Sequence, residues 1–306
     1  MSMETTLHVL KYIGGKGRMV GVLSHLIPKT CRIYAEMYCG SAALALNSGR
    51  FDLKILNDFN PHIANFWRTA TAPETRGKLL EQLQQTSYSR SLFQMAKRRR
   101  EAYGAKQSDP IQWAVDTYIL INQSFNADGR TWSSWNDTVY KEKLTNPFKV
   151  PLVFKSLAGQ KFQVYNMDAV ACMKKNQLLE NPEVFIYLDP PYLEGLRCDR
   201  KIYQVDMPDV RDHINLLKAI RQAKAKVVLS GYWSGHDDGS DLYDYYLIPH
   251  GWHRHLLGGY VKGCDVGEDK SIGFEWIWCN YDLEKEAPGA IGFLDRYCAE
   301  KDLYSH

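Results

Sequence analysis

The sequence has no apolar run approaching the roughly 18 residues of a membrane-spanning helix. Its first residues, Met1-Ser2-Met3-Glu4-Thr5-Thr6, lack the basic and apolar regions of a signal peptide. The expectation is therefore a cytoplasmic protein with no membrane partner. The seven cysteines include no Cys-x-x-Cys pair, and several sit in apolar runs such as Ile277-Trp278-Cys279, which points to buried, reduced thiols. His250-x-x-His253-x-His255 has no carboxylate or cysteine at obvious ligand spacing, so no metal is expected. There is no internal repeat and no low-complexity segment, which excludes solenoids and disordered linkers. Nor does one sign of charge dominate: 38 Lys and Arg against 35 Asp and Glu leave +3, too little to name a partner.

What is present is an ordinary globular composition, 45% hydrophobic and 24% charged over 306 residues, enough for one large domain or a domain with an insertion. Arg32-Ile33-Tyr34-Ala35-Glu36-Met37 reads as a strand ending at Cys39-Gly40-Ser41, with a helix over Ala42–Leu46 that Ser41 would cap. Lys54-Ile55-Leu56 is a second strand, and Pro61 suits the first turn of the helix after it. This alternation predicts an α/β fold: a mostly parallel sheet with helices on both faces, and ligands at the carboxyl ends of its strands. Helices with charged faces, including Lys97-Arg98-Arg99-Arg100, follow from about Thr75 to Gln123, and the stretch from Ser124 to Gly159 reads as irregular. A structureless loop of that length does not fit a compact core, so residues 70–160 are read as an inserted, mainly helical recognition region within a catalytic domain of residues 1–69 and 161–306.

Strands resume at Phe162–Asn166, Val184–Leu188 and Lys226–Ser230, with an amphipathic helix near 209–223, and Glu275–Tyr281 closes the sheet. The strand Val184–Leu188 runs into Asp189-Pro190-Pro191-Tyr192. Two prolines make a rigid, extended turn with free carbonyls. Asp189 and the Pro190 carbonyl can accept both hydrogens of an amino group on a planar ring, on which Tyr192 stacks. An amine conjugated to a heteroaromatic ring is a poor nucleophile, and two fixed acceptors favour the more tetrahedral nitrogen that attacks a methyl group.

From these residues the chain is identified as resembling the Dam-type DNA adenine-N6 methyltransferases, which depend on S-adenosylmethionine and have a Rossmann-like methyltransferase sheet with the recognition region inserted before Asp-Pro-Pro-Tyr. Lys11-Tyr12-Ile13-Gly14-Gly15-Lys16 is similar to the family's Lys-aromatic-x-Gly-Gly-Lys segment, which implies cofactor contacts for Tyr12, Gly14 and Lys16. Glu36-Met37-Tyr38-Cys39-Gly40-Ser41-Ala42 resembles its Glu-Pro-Phe-x-Gly-x-Gly cofactor loop, with Met37 for the proline, Tyr38 for Phe and Ala42 for the second glycine. The resemblance places Glu36, Tyr38 and Gly40 at the cofactor. Asp58, in Asn57-Asp58-Phe59-Asn60, takes the place of the aspartate that accepts the ribose hydroxyls. Asp168 corresponds to an acceptor for the cofactor's adenine amine, or alternatively caps the following helix. Asp189 counts among both cofactor and catalytic positions.

A base inside a duplex cannot reach a buried methyl donor, so such an enzyme flips it out and braces the gap. Ile121–Arg130 resembles the family's Leu-Asn-Arg-x-x-aromatic-Asn-Gly-x-x-Arg segment, with Asn126 and Arg130 on its second Asn and its Arg, Gln123 for an arginine and Ala127 for a glycine. The implied partner is double-stranded DNA. Lys97 and Arg99 are candidate phosphate contacts. Trp132 and Trp135 fit either DNA contact or a local apolar cluster. A cytosine-N4 methyltransferase and a catalytically silent DNA-binding protein of the same fold are the alternatives. The recognition sequence, the oligomeric state and a cognate restriction nuclease are not legible.

Overall fold

Val184–Leu188 is buried at all five positions, the continuous apolar pattern of a central strand covered on both faces. A computed structural model describes residues 6–12, 16–133, 149–191, 209–233, 241–261 and 272–302, and builds a seven-stranded sheet around this strand. In chain order the first elements are α1 (Val20–His25), β1 (Ile33–Glu36), α2 (Ala43–Asn47), β2 (Leu53–Asn57) and α3 (Pro61–Thr71). There follow α4 (Pro73–Gln85), α5 (Arg90–Tyr103), α6 (Pro110–Asn122), α7 (Lys149–Ala158) and β3 (Phe162–Tyr165). Next come α8 (Ala169–Lys175), β4 (Val184–Leu188), α9 (Val210–Ile220), β5 (Lys226–Gly231) and α10 (Leu242–Leu247). The last are β6 (His253–Val261), β7 (Ile272–Cys279), α11 (Leu283–Glu286) and α12 (Ala290–Asp302). The strand order is β3-β2-β1-β4-β5-β7-β6. The pairs β2–β3, β1–β4 and β4–β5 are parallel, whereas β7 runs antiparallel to both β5 and β6. This is an α/β fold consistent with a Rossmann-like methyltransferase sheet flanked by helices.

Helix starts follow local chemistry. Asn60 accepts from the His62 amide at 3.0 Å with Pro61 opening α3, and Asp109 accepts from the Ile111 and Gln112 amides with Pro110 opening α6. Three expectations are corrected. Ser41 does not cap α2: Ala42 holds the N-cap position in a left-handed conformation and makes no side-chain cap. Residues 124–159 are not irregular throughout, because α7 occupies Lys149–Ala158 with Val153 and Leu157 buried. The sheet does not close on Glu275–Tyr281; β7 lies inside it and β6, which carries His253 and His255, is the edge strand.

The chain forms two compact units, residues 1–20 with 39–167, and residues 21–38 with 168–306. The helices α4 to α7 belong to the first, with α3 and β2–β3. Asn65 and Thr69 of α3 both donate to the Pro110 carbonyl at the start of α6, and Trp67 and Phe66 are fully buried. The second unit holds the β1-β4-β5-β7-β6 part of the sheet.

Candidate active site

In the second unit β1 and β4 are parallel neighbours at which the strand order reverses, the position where open α/β sheets bind ligands beyond their carboxyl ends. Glu36 ends β1 opposite Tyr187 and is buried, accepting from the Tyr34 hydroxyl at 2.7 Å. Met37 donates its amide to the Tyr187 carbonyl at 3.3 Å, a bond that a proline at this position would forgo. Two residues beyond Tyr187 the half-buried Asp189 leaves β4, followed by buried Pro190. Burial pushes the Tyr38 phenol well above its usual range, with Tyr243, Asp168 and Asp212 nearby adding to the effect. Asp168 is exposed and caps α8 through Oδ1, which accepts from the Ala171 amide at 2.8 Å.

In the first unit the cofactor-type loop is folded around Asp58. Gly40 (φ +43°) donates its amide to Asp58 Oδ2 at 2.8 Å, and Asn60 donates to Oδ1 at 2.9 Å. The Gly40 carbonyl accepts from Trp67 Nε1 at 2.8 Å, and the Cys39 amide bonds the Asn57 carbonyl at the end of β2. The Tyr12 ring lies so close that a Cβ on residue 40 would come within 2.8 Å of it. Asp58 is 8% exposed, and burial raises its carboxyl to about 6 against the pull of its two amide donors. Lys16 is buried in a 3-10 turn, and Gly14 and Tyr192 lie outside the described residues.

The segment expected to contact DNA forms a tight loop in the same unit. Phe125 and Ser133 donate amides to Thr131 and Gln123 at 2.8 and 3.0 Å, and Ser124 bridges Trp132. Asp128 accepts from the Arg130 and Thr131 amides, and Ser124 Oγ from Gly129. Phe125, 53% exposed, and exposed Arg130 stand at this loop. Asn126 belongs to its 3-10 turn. Lys97 donates to the Arg130 carbonyl at 3.1 Å. Trp132 packs on Tyr88 at 5.8 Å between ring centroids, with Arg90 over its face at 6.0 Å, whereas Trp135 lies outside the described residues. Arg99 is engaged with Asp116, its Nε 2.8 Å from Oδ2 and its NH2 2.5 Å from Oδ1. A carboxylate only 2% exposed demands such a partner.

A model of the D12 class N6 adenine-specific DNA methyltransferases matches residues 12–254. The chain belongs to that family. It is also similar to the modification methylase StsI of Streptococcus sanguinis, 25% identical over 200 residues that cover 60% of this chain and 28% of the relative. The chain thus spans just over a quarter of that protein's length. The D12 match contains the three segments described above, from Tyr12 through residues 123–133 to Asp189.

Sequence reasoning passed over two exposed aromatics. Phe59, 60% exposed, follows Asp58 directly, and Phe125 precedes Asn126. Their position beside a motif aspartate and a motif asparagine was the available signal. Among the described residues no group of His, Cys, Asp or Glu is placed to hold a metal, and no helix is long and apolar enough to cross a membrane. Five described cysteines, Cys31, Cys39, Cys172, Cys279 and Cys298, are free thiols, and burial raises those of Cys31 and Cys172 to about 11.

Proposed function

We propose that the protein methylates N6 of adenine in duplex DNA, taking the methyl group from S-adenosylmethionine. The observation that carries this reading is Asp189-Pro190 leaving β4 beside the end of β1 at the strand-order reversal, in a chain of the D12 family. The donor set fits the cofactor. Asp58 suits ribose hydroxyls, since Oδ1 has one amide donor, Oδ2 has the Gly40 amide and a long, weak contact from the Cys39 thiol at 4.0 Å, and a carboxylate oxygen accepts two. Gly40 allows close backbone approach, and Tyr12, Gly14, Lys16, Glu36, Tyr38 and Asp168 are the further residues that would hold it. When bound it supplies an electrophilic methyl on a sulfonium.

The chain's part in the chemistry is orientation. Asp189 accepts one hydrogen of the adenine N6 amine and the Pro190 carbonyl the other, which draws the nitrogen lone pair out of conjugation. Asp189 need not be a strong base, because the methylated amine is acidic while cationic and loses its proton to water. Tyr192 stacks on the flipped base. Arg130, Asn126 and the exposed Phe125 contact and brace the DNA gap, while Lys97 positions the loop through the Arg130 carbonyl.

Exposing unmethylated genomic DNA to the protein and tritiated S-adenosylmethionine, followed by digestion to nucleosides, tests the reading. Label is expected in N6-methyladenine and absent with Asp189→Ala. Label in N4-methylcytosine would change the target base, and DNA binding without any label would leave a silent binder.

A further inference from the structure

The segment Leu7–Tyr12 is held by two asparagine side chains acting as peptide mimics. Asn47, at the end of α2, accepts from the Leu7 amide at 2.8 Å and donates to the Leu7 carbonyl at 2.9 Å. Asn122, the last residue of α6 and buried, accepts from the Lys11 amide at 2.9 Å and donates to the Val9 carbonyl at 3.0 Å. The segment is thus tied at one end to the helix that follows the cofactor-type loop and at the other to the helix that runs directly into residues 123–133. It delivers Tyr12 onto Gly40.

The opposite end of α6 carries a second tie. Trp113 donates Nε1 to His62 Nδ1 at 2.7 Å, with the rings edge-to-face at 5.6 Å. His62 is four residues beyond Asp58, and its amide is capped by Asn60, whose own amide binds Asp58. The residues on either side of the cofactor-type loop, Tyr12 and Asp58, are therefore both connected to α6 by short chains of hydrogen bonds. The helix continues at Gln123 into the segment whose backbone presents Phe125 and Arg130.

We infer that α6 couples cofactor binding to DNA binding, with Asn122 as the positioning residue that transmits ordering of the Leu7–Tyr12 segment to the recognition loop. This rests on the proposed reading of Tyr12 and Asp58 as cofactor residues and of residues 123–133 as DNA-contacting. The ties themselves, at Asn122 and at Trp113–His62, lie outside the residues read as contacting DNA or cofactor, so the coupling appears in mutual affinity and not in chemistry. Each ligand that orders its own segment spares the other part of the ordering cost, and the effect is reciprocal.

The test measures the affinity of the full chain for a labelled duplex carrying the sequence it methylates, with and without saturating sinefungin, an unreactive cofactor analogue. Sinefungin is expected to tighten duplex binding about tenfold in the wild type, within the usual range of coupling. In Asn122→Ser the ratio falls below about twofold. In Asn47→Ser sinefungin affinity falls but the ratio is kept, because the tie to α6 remains. A merely structural asparagine would lower stability or both affinities while leaving the ratio unchanged. Should Asn122→Ser not fold, Trp113→Phe removes the other tie's donor while keeping an aromatic ring and is also expected to reduce the ratio. A wild-type ratio near one, or wild-type ratios in both Asn122→Ser and Trp113→Phe, overturns the coupling. Failure of sinefungin to bind the wild type at all is a different result, and strikes the cofactor reading itself.

Discussion

Two alanines stand where the family pattern has glycine, and both hold the conformation glycine favours: Ala42 at φ +47° and Ala127 at φ +56°. The left-handed region costs an alanine about 1–2 kcal/mol, partly offset because glycine loses more entropy on folding. Ala127 is half-buried, so Ala127→Gly is expected to raise stability by about 0.5–1 kcal/mol. Ala42 is fully buried, and deleting its methyl forfeits about 0.8 kcal/mol of burial, so Ala42→Gly is expected to be nearly neutral. Denaturant melts of both variants check the contrast; an Ala42→Gly gain larger than that of Ala127→Gly would contradict it. Both loops thus hold a left-handed backbone at these positions without a glycine. Gly40 is different, because an added Cβ meets the Tyr12 ring as well as an unfavourable φ. Gly40→Ala is expected to lower cofactor affinity at least tenfold in calorimetry by displacing Tyr12 or the loop.

Within α5 the four consecutive basic residues separate by direction, as a helix requires. Arg99 faces α6 and Asp116, Lys97 reaches the recognition loop, and Arg98 is exposed. Arg99→Ala strands a buried carboxylate that keeps only Gln107 and Gln112, and is expected to destabilise by about 3 kcal/mol. Arg98→Ala is expected to leave stability within about 0.5 kcal/mol and, where that side chain meets phosphate, to reduce the salt slope of DNA binding by about one. Thermal melts and a salt titration of duplex binding separate the two. This is also where the sequence stopped being readable. Strand ends were legible because apolar runs give way abruptly to Asp58 or Asp189, and the start of α3 because Pro61 suits a first helical turn. The partner of Arg99 lies 17 positions away, and the asparagines that hold Leu7–Lys11 lie 40 and 111 positions away, on helices whose relative placement no local pattern encodes. The edge strand β6 was missed because Gly258 and Gly259 interrupt its alternation near a register shift between Leu256 and Gly258.

Across the molecule buried Asp58 and half-buried His62, close together in sequence, set opposing dependences on pH. Burial raises the Asp58 carboxyl from 3.8 to about 6, so the folded chain holds a proton there that the unfolded chain has lost. That contribution is present below pH 3.8 and disappears as pH rises through about 6, a change of about 3 kcal/mol. His62 has the opposite sign. Burial, and then the Arg100 charge, lower it from 6.5 to about 4, so the unfolded chain binds the extra proton and stability is lost as pH falls from 6.5 through 4. The two slopes nearly cancel between pH 4 and 6 in the wild type. Asp58→Asn is expected to expose the rise of stability with pH that His62 supplies. His62→Gln, whose side-chain oxygen can still accept from Trp113, is expected to expose the fall that Asp58 supplies. Urea melts from pH 4 to 7 read both, and parallel slopes in the two variants would exclude this assignment. Ribose hydroxyls need the ionised carboxylate as acceptor, so cofactor affinity should rise through about pH 6 while the Asp58 contribution to stability falls. If that rise is measured, binding stabilises the form of Asp58 that folding alone disfavours, and under the proposed reading this aspartate gives up stability for function.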